Sequence, residues 1–129
     1  MPTPQDLMQL GQTLIDHCHA KREVELQDNY YTDDAVSVEA MAMSPSGAEA
    51  VGRDAIKAKG EWWYGAHELH NLSIEGPFVH GTDRFSVIFD IDVTQKETGE
   101  RTQMREIGTY YVNEVGKITR EEFAYPIGE

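Results

Sequence analysis

Between Arg84 and Thr94 apolar and polar residues alternate: Phe85, Val87, Phe89, Ile91 and Val93 against Arg84, Ser86, Asp90, Asp92 and Thr94. A period of two predicts a half-buried strand. Turn-forming residues at His80–Asp83, Glu97-Thr98-Gly99-Glu100 and Asn113–Gly116 divide the C-terminal third into three long strands ending near Tyr125. A fourth strand is expected ahead of them, from about Leu69 to Val79. It contains Gly76-Pro77, which points to a bulge or an edge position because proline cannot donate to a ladder. A curled meander with one apolar face needs a cover, and the N-terminal half supplies it.

Leu7, Leu10, Leu14 and Cys18, with Met8 and Ile15 beside them, form a stripe at helical spacing. Thr3 suits the N-cap, Pro4 the first helical position and Asp6 the third. Gly11 interrupts the stripe at a cost of ~1 kcal/mol in propensity, which predicts a close backbone approach. A second helix is expected from Glu23 to Tyr31, ended by Thr32-Asp33-Asp34, and then a short strand over Ala35–Glu39. Residues 40–52 carry loop chemistry, with a turn at Ser44-Pro45-Ser46-Gly47 and adaptable apolar groups at Met41 and Met43. A third helix is expected from about Arg53 to Tyr64, with Ala55, Ile56, Trp62 and Trp63 buried and Gly65 at its end. The reading is a single α+β domain over residues 1–129, ordered α-α-β-α-β-β-β-β. In it a cone-shaped, curved, antiparallel or mixed sheet wraps the N-terminal helices around a pocket. Successive antiparallel strands need no βαβ crossovers, so a doubly wound sheet is not expected.

Composition narrows the partners. A chain of 129 residues buries roughly two-thirds of its unfolded surface. Its apolar share of 40% is modest and suits a polar-lined interior. The formal charge of −12 argues against nucleic acid and anionic membrane surfaces, whose binding needs clustered Lys and Arg. No stretch approaches the ~20 apolar residues of a membrane span, and the N-terminus has no signal-peptide pattern. Cys18 has no cysteine to pair with, so a cytoplasmic protein is expected. His67 and His70 do not match a zinc-binding helical spacing, and His17 and His19 diverge around Cys18. No metal and no cofactor are expected.

Several segments resemble the SnoaL-like branch of the nuclear-transport-factor-2-like superfamily, which includes ketosteroid isomerases and polyketide cyclases. They are Tyr31-Thr32-Asp33-Asp34-Ala35, Gly52-Arg53-Asp54-Ala55-Ile56 and Gly116-Lys117-Ile118. The run Phe85–Thr94, with Gly99-Glu100-Arg101 and Glu121-Glu122-Phe123, is similar to SnoaL-like domains without an assigned activity. The resemblance puts a general base at Glu39, four residues after Ala35. It puts the two oxyanion donors of ketosteroid isomerases at Leu14 and Gly108, neither of which has a side-chain donor. Steroid isomerisation in that form is therefore not expected.

With the same registration, Phe85, Val87, Phe89, Ile91, Val93, Met104, Glu106, Gly108, Tyr110, Val112, Thr119, Glu121, Phe123 and Tyr125 face the helices, while Asp90 and Asp92 face water. A one-residue slip would exchange Glu121 for Glu122. Candidate pocket residues are Glu39 as the catalytic carboxylate, with Trp62, Trp63, Phe89, Glu106, Tyr110, Glu121, Phe123 and Tyr125 contacting a small ligand. A carboxylate in an apolar cavity has a raised pKa and can exchange protons near neutrality. The expected partner is a small, mostly apolar molecule. The chain either transforms it by proton transfer or only binds it. Ile88, Ile107, Thr109 and Tyr111 would form the convex face of a homodimer.

Overall fold

The computed structural model describes residues 2–42 and 47–126. Helix α1 (Pro4–His19) begins as its sequence requires: Thr3 accepts from the backbone N–H of Asp6, and Asp6 accepts from that of Thr3. Its buried face is Leu7, Leu10, Gly11, Leu14 and Ile15, while Met8 is exposed and falls outside the expected stripe. A Cβ built on Gly11 would stand 2.5 Å from Pro77 Cβ and 3.2 Å from a ring carbon of Phe85. The missing side chain lets α1 lie directly on the sheet. Helix α2 (Glu23–Tyr30) follows.

Strand β1 (Tyr31–Val38) begins at once, so Thr32-Asp33-Asp34 lie in the strand and not in a helix-ending turn. The residues expected as a turn at 44–46, and Met43 beside them, lie outside the described residues. A short strand not expected from the sequence, β2 (Glu49–Val51), pairs antiparallel with β1. Helix α3 (Arg53–Ala66) runs two residues past its expected end, taking in Gly65.

Four long strands complete the chain: β3 (His67–His80), β4 (Arg84–Gln95), β5 (Arg101–Val112) and β6 (Ile118–Ala124). The six strands form one curved, unclosed mixed sheet in the order β2-β1-β6-β5-β4-β3, parallel only where β1 meets β6. Strands β4 and β5 pair without interruption from Arg84↔Tyr111 to Thr94↔Arg101. The β3–β4 register shifts between Glu75 and Phe78, so Gly76-Pro77 sits at a bulge in an edge strand, where the sequence placed it. The architecture is the expected α+β cone, with β2 added.

Alternation along β4 sends Phe85, Val87, Phe89, Ile91 and Val93 into the core with Leu7, Leu14, Leu26 and Ile56. Asp90 and Asp92 lie on the opposite face and pair with Arg105 and Arg101. No helix is long and apolar enough to cross a membrane among the described residues.

Candidate functional site

Parallel pairing of β1 with β6 aligns Ser37 with Glu121. This pairing fixes the parity that the sequence left open: Glu121 is 5% exposed and faces the helices, while Glu122 turns outward to Arg120. One oxygen of Glu121 accepts from the Tyr31 hydroxyl; the other accepts from Ser37 Oγ at 2.6 Å. Lys59, from α3, donates to Ser37 Oγ at 2.5 Å and to Glu39 Oε2 at 2.9 Å. Glu39 lies just beyond β1, with its backbone N–H on Ala48 O, and its second oxygen accepts from the Tyr125 hydroxyl at 3.2 Å. One hydrogen-bonded chain thus runs from Tyr31 through Glu121, Ser37, Lys59 and Glu39 to Tyr125.

This chain borders a mostly apolar cavity of about 210 Å³ between α3 and the sheet. Helix α3 contributes Ile56, Lys59 and Trp63 from one face, with Trp62 beside them. The sheet contributes Phe89, Glu106, Tyr110, Glu121 and Phe123, and the α1 side closes with Leu14 and Cys18. Trp63 stacks on His67 with ring centroids 4.7 Å apart, and Tyr110 stacks on Phe85 at 5.2 Å.

Glu106 differs from the other two glutamates. No hydrogen bond contributes to its proton affinity; burial pushes its carboxyl up to about 7, with the charges of Glu39 and Glu121 adding and Lys59 opposing. Burial also raises the Tyr31 and Tyr110 hydroxyls well above their ordinary range, with the Glu121 charge reinforcing it, so both stay protonated donors. The Cys18 thiol is raised by burial and by Glu23 and Glu121, which keeps it a poor nucleophile.

Of the residues singled out from the sequence, Glu39, Glu106, Glu121, Trp62, Trp63, Phe89, Tyr110 and Phe123 all line this cavity. Tyr125 is not in that lining: β6 ends at Ala124, and the Tyr125 hydroxyl donates to Glu39 and accepts from the backbone N–H of Met41. Three nearby arginines are engaged outside the site, Arg101 with Asp92, Arg105 with Asp90 and Glu75, and Arg120 with Glu122. Lys59, Ser37 and Tyr31 were not anticipated. Lys59 had one legible signal, its place three residues after Ile56 and four before Trp63 on an otherwise apolar face.

The sequence matches the family profile described as the SnoaL-like domain over residues 9–125. The chain belongs to the SnoaL-like domain family. A solved structure from Mesorhizobium loti, described as a candidate SnoaL-like polyketide cyclase, is 38% identical to this SnoaL-like chain. The match covers 91% of this chain and 97% of that one, with a TM-score of 0.81. A Mycobacterium tuberculosis protein crystallised with estradiol-17β-hemisuccinate is 20% identical, over 98% of this chain and 96% of that one, with a TM-score of 0.73. A Δ5-3-ketosteroid isomerase from a Mycobacterium species is 19% identical, over 97% and 95%, with a TM-score of 0.70. These two share the fold with this chain. No curated protein matches the sequence significantly.

Leu14 and Gly108, the positions that the sequence resemblance assigned to the isomerase donors, are filled in this SnoaL-like domain by packing. Leu14 is a buried wall of the cavity. A Cβ at Gly108 would stand 3.0 to 3.2 Å from ring carbons of Phe89, Tyr110 and Phe123. The aromatic cluster therefore occupies the space that a side chain at 108 would need.

Proposed function

We propose that this SnoaL-like domain binds a small, mostly apolar molecule in the cavity and moves a proton on it without a cofactor, with Glu106 as the acid/base group. One observation carries the reading: Glu106 is a desolvated carboxyl with a pKa of about 7, on the wall of a largely apolar cavity. A group that titrates near the working pH is both ionised often enough to take a proton and protonated often enough to return it. Glu39, expected as the base, takes the supporting role because Lys59 and Tyr125 already occupy its two oxygens. Its charge, with that of Glu121, raises the proton affinity of Glu106. Tyr110 supplies a protonated hydroxyl to orient the ligand. The steroid ligand and the isomerase activity of the structural neighbours favour a small apolar ligand for this cavity, and the family leaves isomerase or cyclase chemistry as the frame.

The second reading is a binding module, favoured by the absence of side-chain donors at Leu14 and Gly108. A thermal-shift screen of small apolar compounds identifies ligands by a raised Tm. Nuclear magnetic resonance then shows whether a hit is consumed. At saturating ligand, Glu106→Gln is expected to convert the hit at least about 100-fold more slowly than wild type. Conversion at the wild-type rate removes Glu106 from the mechanism. Hits that bind and persist unchanged decide for the binding module.

We further propose a homodimer through the convex sheet face, where Ile107 is 46% exposed. The ion pairs of Arg105 with Glu75 and Asp90, and of Arg101 with Asp92, would form its polar rim.

A further inference from the structure

The polar groups around the cavity are unbalanced. Four carboxyls border it, those of Glu23, Glu39, Glu106 and Glu121, against the single ammonium of Lys59. Lys59 is already committed to Ser37 and Glu39. Glu121 is supplied by Tyr31 and Ser37, and Glu23 by the Tyr64 hydroxyl at 2.5 Å. Among the described residues, Glu106 receives no hydrogen bond. Gln27, 8% exposed, also lines the cavity, and its Oε1 is buried with no hydrogen-bond partner among the described residues. What the cavity lacks is positive charge. Its walls also present Trp62, Trp63 and Phe123, and aromatic faces attract cations.

We infer that the ligand of this cavity is an apolar molecule bearing a basic nitrogen, protonated when bound and directed at Glu106. An ammonium brings a positive charge, with N–H donors and no acceptor, which matches four carboxyls set against one ammonium. A carboxylate of the same shape would be repelled by the surrounding acids, and a neutral alcohol would leave the charge uncompensated. A positive nitrogen also acidifies adjacent C–H bonds, which suits a proton-transfer site. The inference rests on the cavity being a ligand site, as proposed above.

Calorimetry on the intact protein at pH 8 with 4-phenylbutylamine, 4-phenylbutan-1-ol and 4-phenylbutanoate separates the alternatives, since only the head group changes. The amine is expected to bind at least about tenfold tighter than the alcohol, and the carboxylate weakest of the three. Glu106→Gln should reduce the preference for the amine over the alcohol at least threefold. That control is needed because a chain of formal charge −12 attracts amines everywhere on its surface. If the alcohol or the carboxylate binds as well as the amine, the inference fails and the ligand site stands. An amine preference undiminished in Glu106→Gln locates the cation elsewhere and also overturns it. If none of the three binds to either protein, the inference falls together with the ligand-site reading.

Discussion

Glu106 holds its proton through burial, reinforced by the Glu39 and Glu121 carboxylates, while Lys59 pulls the other way. Its folded-state pKa of about 7 lies above the ordinary 4.5. Between those values the folded chain binds more protons than the unfolded one, so the stability from this group is present at low pH and lost as pH rises through 7. Glu106→Gln, which is always neutral, should therefore match wild type near pH 4 and exceed it by about 3 kcal/mol above pH 8. Denaturant melts of both proteins across that range check this, and parallel curves at every pH would refute it. At this scale the sequence was legible where parity decides the outcome. The alternation that buried Phe89 also faced Glu106 and Tyr110 inward on the next strand. The partners were not legible. Tyr31 and Ser37 meet Glu121 across 90 and 84 residues of chain, and only the parallel β1–β6 pairing brings them there. Glu39 was read as a free base because nothing local announced the Lys59 ammonium on its oxygen.

Among the elements, the contact between α1 and the sheet has the least tolerance. Gly11→Ala would gain about 1 kcal/mol of helix propensity. Its new methyl, however, would stand 2.5 Å from the Pro77 ring, which has little freedom to yield. Overpacking costs about 1–3 kcal/mol, and a contact this short against a rigid ring falls at about 2–3, so the expected result is net destabilisation by about 1–2 kcal/mol, read as a lowered Tm. An unchanged or raised Tm would mean that helix and sheet can part at no cost. The close approach was predicted from one glycine in an apolar stripe, because such an interruption needs a spatial reason. Strand β2 escaped prediction for the opposite cause. Three residues, Glu49, Ala50 and Val51, carry too short a pattern to distinguish from loop, and it is pairing with β1 that makes them a strand.

For the whole molecule, the dimer proposal gives a direct measurement. Wild type is expected to scatter light as twice the mass of the chain at micromolar concentration. Ile107→Glu, placing a charge at the centre of the convex patch, should shift it to monomer with the fold retained by circular dichroism. Wild-type protein at the monomer mass would end the proposal. The two rims of the sheet bear on the same question. One rim is β2, only three residues long. The other is β3, whose ladder is broken beside a proline that has no N–H to offer. Neither border presents a long, unbroken row of amides on which a foreign strand could crystallise its own hydrogen bonds. Growth into fibrils by strand addition is thereby blunted at both ends, and copies of this chain that meet are steered to associate broadside.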